Sequence, residues 1–201
     1  MKKVVSVLSV VLLFLAIPLS SSAANLSHTV AKGDTMWKIA SKYQIGTSEV
    51  INANPQISNP NLIYPGQVLT IPQEDPSVLA FENEVIRLVN DQRAKNGLKA
   101  LNTNWELSRV ARYKSQDMVS HRYFSHTSPT YGSPFQMIKA FGLTYRTAGE
   151  NIAYGQRTPQ DVVNAWMNSS GHRANILNAS YTQIGVGYVP SGHYWTQMFI
   201  G

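Results

Sequence analysis

The chain has 201 residues and no cysteine. That removes every thiol nucleophile and every Cys-ligated metal from its chemistry. An exported protein of this size can do without disulfides if its hydrophobic core is large enough. A basic stripe is also missing. The Lys and Arg residues are dispersed along the sequence, so nucleic acid is not an expected partner. Nothing reads as low complexity, and the hydrophobic fraction of 43% is ordinary for a globular protein. Beyond the first two dozen residues, no segment is apolar for long enough to span a membrane.

Those first residues form a leader. Lys2 and Lys3 are followed by an apolar run from Val4 to Leu19, and then by the small residues Ser20 to Ala24. Charge, apolar stretch and small residues in that order mark a secretory signal over residues 1–24, with Ser22 and Ala24 at the peptidase recognition positions. The alternative, an uncleaved anchor, has a short run for a spanning helix. Export is expected, with no stable membrane span after cleavage. Loss of Lys2 and Lys3 lowers the formal charge from +6 to +4. A modestly basic exported protein is drawn to anionic cell-wall polymers and membrane surfaces. The remaining chain suffices for two small cores or one larger one.

Residues 28–72 read as strand, helix, helix, strand. His28-Thr29-Val30 is a short strand, and Gly33-Asp34-Thr35 turns into a helix with Asp34 as N-cap. Met36, Ile39, Ala40 and Tyr43 recur at helical spacing on one apolar face. Gly46-Thr47 opens a second helix, which Pro55 stops. Asn59 to Gly66 is a long turn, and Val68 to Pro72 is the return strand. The turn Gly33-Asp34-Thr35, with Trp37, Ile39-Ala40, Asn54-Pro55 and Tyr64-Pro65-Gly66-Gln67, resembles a LysM domain over its whole length. The resemblance implies a small βααβ domain that binds peptidoglycan or another N-acetylglucosamine-containing glycan. It implies a groove in which Gly33, Asp34, Thr35 and Met36 face Asn61, Leu62, Ile63 and Tyr64. Exposed backbone groups would hold the acetamide there, and apolar side chains the sugar face. The competing reading is that Met36, Leu62 and Ile63 fill a small core.

Residues 73–77, Gln-Glu-Asp-Pro-Ser, read as a linker of at most about 17 Å. Residues 78–201 form the second domain. Phe81, Val85, Leu88 and Val89 give one helix face. Thr103 with Glu106 reads as the capping box of a second helix through Leu107, Val110, Ala111 and Met118. Ser133-Pro134 opens a short helix. Thr158 caps a further one, with Pro159 at its first position and with Val162, Val163 and Trp166 buried. That helix is read as running on to Gly171-His172. The chain ends in two strands, Tyr181 to Val189 and Tyr194 to Ile200, joined by Pro190-Ser191-Gly192. The last strand is apolar on both faces, as a strand between two layers should be. Helices early and antiparallel strands late predict an α+β fold.

The segments YFSHTSPTYGSPF, AGENIAYG, VVNAWMNSSGHRANIL and IGVGY followed by YWTQMFI resemble, in that order, the CAP superfamily of cysteine-rich secretory, antigen 5 and pathogenesis-related 1 proteins. The resemblance is to its cysteine-free bacterial exported form, some members of which are associated with sporulation. It implies an α-β-α sandwich with a cleft. Two histidines and two acids line the cleft in eukaryotic members. His126, Glu150 (read in a Gly149-Glu150-Asn151 turn) and His172 match three of these. The fourth position is Ser169, so one acid is missing.

Two imidazoles and a carboxylate suit an open site for Zn²⁺ or another divalent cation, with His126 and His172 as ligands. Glu150 would be a third ligand or a water-activating base. The alternative is that these side chains only hydrogen-bond the loops around them. Two functional classes follow. One is a secreted, cell-wall-associated protein, with spore association as one setting, that binds peptidoglycan through residues 28–72 and presents the cleft to an unknown ligand. The other is a metal-dependent wall hydrolase in which His126, Glu150 and His172 are catalytic. Fold alone does not separate them.

Overall fold

A computed structural model describes residues 24–201. The expected leader lies, but for Ala24, outside the described residues. The N-terminal unit pairs β1 (Leu26–Thr29) with β2 (Val68–Ile71), antiparallel, with Leu26 opposite Ile71. Between them lie α1 (Met36–Lys42) and α2 (Thr47–Asn52). Val30, Met36, Ile39, Ala40, Val50, Leu69 and Ile71 form a buried core. The expected order of elements is present. The N-cap of α1 is Thr35, whose hydroxyl accepts from the Lys38 N–H, and not Asp34. The Asp34 carboxylate instead accepts from the Ala31 N–H at 2.8 Å and pairs with His28 Nε2 at 3.0 Å, closing the turn before the helix. Asn54 is buried. Its amide donates to the carbonyls of Val50 and Thr70 and its oxygen accepts from the Thr70 N–H, so it ties α2 to β2.

Only a short connection separates β2 from α3 (Pro76–Lys95), because Asp75 caps α3 and Pro76 is its first residue. The expected linker is thus partly helix. Next come β3 (Asn102–Thr103), α4 (Trp105–Ser120), α5 (Pro134–Ala140), β4 (Ala148–Tyr154), α6 (Pro159–Asn168), α7 (Ser170–Ile176), β5 (Gln183–Val189) and β6 (Tyr194–Ile200). The sheet runs β3-β5-β6-β4, with β3–β5 parallel and the other pairs antiparallel. On one face α4 and α5 pack Leu107, Val110, Ala111, Met137 and Ile138 on Met198 and Ile200 of β6. On the other, α3, α6 and α7 pack Val85, Val89, Val163, Trp166 and Ile176 on Trp195 and Phe199. Alternate residues of β6 therefore face opposite layers, which is why YWTQMFI has no polar face.

Three readings of the second domain are corrected. Asn104, not Thr103, caps α4, because Thr103 is held in β3. The segment around Glu150 is not a turn but the strand β4. The helix after Thr158 does not run through to His172; it breaks at Ser169, and α7 starts anew at Ser170. The alternating glycines of β5 have a packing cause. A Cβ on Gly185 would come within 2.3 Å of the Leu107 backbone, and one on Gly187 within 2.0 Å of the Arg112 backbone. Helix α4 lies directly on the strand, which only glycine permits.

Candidate functional site

The cleft is built on two rigid elements, β4 and α4, and one pinned loop. Side chains alternate along β4, so Glu150 points to the α4 layer and its neighbour Asn151 to the α7 layer. From α4 the buried Lys114 ammonium donates to the carbonyls of Ser125 at 2.7 Å and His126 at 2.9 Å, and to the Tyr123 hydroxyl. One turn on, Asp117 accepts from the hydroxyls of Tyr123, Ser128 and Thr130. Burial pushes the Asp117 carboxyl up, but the hydroxyl donors and His121 together hold it below the usual range. Lys114 and Asp117 thus fix the backbone of the loop that carries His126. Lys114 stands at helical spacing from Val110, Ala111 and Met118, and Asp117 from Val110 and Lys114; charge on that otherwise apolar face was the signal for them. His121 is half-exposed and has its Nδ1 2.9 Å from Asp117 Oδ1.

His126 Nδ1 lies 2.7 Å from Glu150 Oε1. The imidazole is half-exposed and the carboxylate is buried. Burial raises the Glu150 pKa, against the lowering effect of the His126 hydrogen bond and the Lys114 charge. Its second oxygen, Oε2, is buried without a protein partner. An ionised Glu150 can only accept, so Nδ1 donates to it, and in the neutral ring Nε2 then presents a free lone pair. His172 lies in the first turn of α7. Burial, and then the charge of His126, lower its pKa, so the two imidazoles sense one another. Helix α7 is stitched to β4 by Asn151, whose amide donates to the His172 carbonyl at 3.1 Å. Asn175 completes the stitch, its amide donating to the Glu150 carbonyl and to Asn151 Oδ1. These asparagines position the cleft, and sequence reasoning gave them no role. Ser169, where an acid is missing, is the joint between α6 and α7.

The structure thus brings His126 against Glu150, with His172 close enough to feel its charge. Among the described residues, no three His, Asp or Glu side chains form one ligand set for a metal. Glu150 is engaged by His126 and serves as its orienting partner, an arrangement common behind metal-bound histidines. That leaves two imidazoles as donors. Beside the cleft, on the loop and at the end of the sheet, Phe124 and Tyr154 are exposed with ring centroids 4.8 Å apart, and Tyr194 stacks on Tyr154.

The second site is a groove of about 250 Å³ between the loop before α1 and the loop before β2. Asp34, Thr35, Met36, Asn61 and Ile63 line it, joined by Trp37, Thr47, Ile51 and Pro60. Met36 contributes only the edge of a side chain buried in the core, and Ile63 also packs against that core. Leu62 and Tyr64 are exposed beside the groove. Gly33 makes the turn, with φ +91°, and its carbonyl accepts from Lys38. Trp37, exposed by 66%, was not among the expected residues. Its position off the Met36-Ile39-Ala40 face was the available signal.

Residues 86–199 match the model of the Cysteine-rich secretory protein family, CAP. The chain belongs to this family. Residues 28–72 match the LysM domain. Protein YkwD of Bacillus subtilis is 62% identical over 125 residues, covering 62% of this chain and 49% of that protein. SpoIVD-associated factor A of Bacillus subtilis is 51% identical over 47 residues, or 23% of this chain and 12% of that one. A crystal structure of an extracellular SCP-domain protein from Bacillus anthracis superposes with TM-score 0.60 at 31% identity, covering 67% of this chain and 46% of that one. The chain spans about half the length, or less, of these relatives. The order LysM then CAP and the α+β fold are as the sequence implied. LysM with CAP supports a cell-wall-associated protein. Among the described residues, no helix is long and apolar enough to cross a membrane.

Proposed function

We propose that the chain is exported to the cell wall, is held there by its LysM domain on N-acetylglucosamine-containing glycan, and presents the His126–Glu150–His172 cleft of its CAP domain as a second binding site. The observation that carries the anchoring role is the groove between the two LysM loops, open to solvent and walled by the exposed indole of Trp37. An aromatic face with convergent polar groups is the arrangement that sugar rings require. The name of SpoIVD-associated factor A, matched over 47 residues, supports spore association as one setting. The test is sedimentation with purified peptidoglycan at salt well above physiological, where charge attraction is screened. Full-length protein is expected in the pellet and a variant lacking residues 28–72 in the supernatant. Equal pelleting of both overturns the anchoring role.

In the cleft, His126 Nε2 and His172 would hold a divalent transition ion, the remaining positions being filled by water. The ion would supply Lewis acidity. Glu150 holds the His126 ring in orientation and keeps Nδ1 protonated. With two protein donors, binding is expected to be weaker than in a site of three or four. Calorimetric titration with Zn²⁺ of wild type, His126→Ala and His172→Ala tests this, and equal affinity in all three removes the metal. A second reading, hydrolysis of wall polymer, has one observation in its favour. The buried carboxylate orients an imidazole whose other nitrogen faces solvent, as in a general base. Release of labelled fragments from peptidoglycan by wild type but not by His126→Ala would select it.

A further inference from the structure

Trp37 of the LysM groove also borders a larger groove of about 400 Å³, between the LysM unit and the CAP domain. Trp37 and Thr47 line both. The outer wall of the larger groove is CAP surface, with Trp105 at the start of α4, Arg109 one turn further, and Phe141 after α5. Ser48 completes the LysM side. Its volume falls in the range of roughly 300–1,000 Å³ typical of small-molecule sites.

The two walls are clamped together. Arg109 Nη2 donates to Glu49 Oε2 at 2.9 Å and to the Ser48 hydroxyl at 3.1 Å, and the Tyr113 hydroxyl donates to Glu49 Oε1 at 3.0 Å. The guanidinium lies 5.0 Å from the Phe141 ring centroid and 5.3 Å from that of Tyr113. Burial raises the Glu49 carboxyl, but Arg109 and Ser48 outweigh it and hold the pKa below its usual value. Gly46 makes room for the clamp. A Cβ there would come 2.1 Å from Glu49 Oε2 and 2.3 Å from Arg109 Cζ. The short connection after β2 leaves little slack between the walls.

We propose that this groove is an extension subsite for the same glycan strand, receiving the sugar units that follow those held in the LysM groove. The occupant is a β-linked N-acetylglucosamine-containing polymer. Its LysM-bound segment must continue in some direction, and the two grooves share Trp37 as a common wall. Trp105 and Phe141 offer apolar faces to sugar C–H groups, and Thr47, Ser48 and Arg109 offer polar partners to hydroxyls and acetamides. The CAP domain thereby takes part in glycan recognition through a surface remote in sequence from His126, Glu150 and His172.

This inference rests on the glycan reading of the LysM groove, and the experiment keeps the two apart. The full chain is titrated calorimetrically with a trimer and a hexamer of β-1,4-linked N-acetylglucosamine. The hexamer is expected to bind about tenfold tighter, equivalent to about 1.4 kcal/mol. Trp105→Ala should remove most of that gain and leave the trimer unchanged, which also reports that the LysM unit remains folded. Trp105→Tyr should restore most of it. Gly46→Ala, which disturbs the clamp without touching a groove aromatic, should reduce it. Trp37→Ala should weaken both ligands. A longer ligand also gains a small statistical factor from multiple registers, and that part should survive Trp105→Ala. Equal affinity of trimer and hexamer in wild type, or a full gain retained in Trp105→Ala, overturns the extension alone. Failure of both oligomers to bind overturns the glycan reading and the extension together.

Discussion

Replacing Glu150 by Gln separates the two things its carboxylate does. Burial raises the folded-state pKa above 4.5 even after the His126 hydrogen bond and the Lys114 charge have pulled it down. A carboxyl whose folded pKa exceeds its unfolded one binds its proton more tightly in the folded protein. Stability is then greatest below the unfolded pKa, falls as pH rises through the folded one, and stays lower by a constant amount above it. Each unit of the difference is worth about 1.4 kcal/mol. The Gln variant lacks this loss. It carries a different penalty, because its amide would stand where Oε2 has no partner, and an unmet buried donor costs about 1–3 kcal/mol. That penalty does not depend on pH. The quantity to read is therefore the change in ΔΔG between about pH 4 and about pH 7.5, measured by urea unfolding with chelator present. The variant is expected to improve relative to wild type across the interval, because only the wild-type carboxyl must give up its buried proton. Repeating the pair in a His126→Asn background removes the neighbouring imidazole and should preserve the sign. Meanwhile Zn²⁺ affinity should fall by about 10–100-fold, the usual effect of removing the carboxylate behind a ligating histidine. A ΔΔG that is flat between the two pH values, or that worsens at the higher one, refutes the reasoning about Glu150.

Two further substitutions probe other parts of the fold. The folded pKa of His172 is lowered by burial and by the charge of His126, so stability is present above about pH 6.5 and is lost as pH falls through the unfolded pKa towards the folded one. His172→Gln should flatten that acid limb in urea titrations, and an unchanged limb would refute the burial of the ring. Glu82 on α3 is buried, pairs with Arg112 of α4 at 2.8 Å and accepts the Tyr188 N–H at 3.0 Å; Glu82→Ala should destabilise by about 1–3 kcal/mol because that N–H is left unmet and Arg112 keeps only Glu74, at 3.7 Å, and a loss well below about 1 kcal/mol by chemical denaturation would show that water replaces the carboxylate.

The sequence was most legible where local chemistry and burial agree. Thr158-Pro159 begins α6 as expected, because a hydroxyl cap and a proline at the first helical position need nothing from the rest of the fold. The apolar faces of α4 and α6 were readable for the same reason. Strand β4 was not. Its glycine and asparagine suggest a turn, yet Glu150 and Asn151 are held extended by pairing with Met198 and Gln197 of β6. That pairing joins residues almost 50 positions apart, and local propensity has no view of it. Asp34 misled in a similar way. It has the chemistry of an N-cap, but the cap passed to Thr35 once the carboxylate was taken by His28 and the Ala31 N–H.

In the cleft, what could be read was identity, and what could not was support. His126, Glu150 and His172 come from a loop, a strand and a helix, and only His126 and Glu150 are joined by a direct hydrogen bond. Their placement depends on Lys114, Asp117, Asn151 and Asn175, which carry the connecting hydrogen bonds. Lys114 is the telling case. An ammonium on the buried face of α4 is costly to desolvate, and burial lowers its pKa. The fold meets that cost by turning two loop carbonyls and a tyrosine hydroxyl onto it. Those same carbonyls fix the position of His126, so the charge cannot be removed without freeing the imidazole. Lys114→Met should therefore keep the α4 packing yet weaken Zn²⁺ binding at His126, a residue whose side chain it does not touch. If the variant folds and binds Zn²⁺ as wild type does, the loop holds its shape without the ammonium, and the cleft is positioned by β4 and α7 alone.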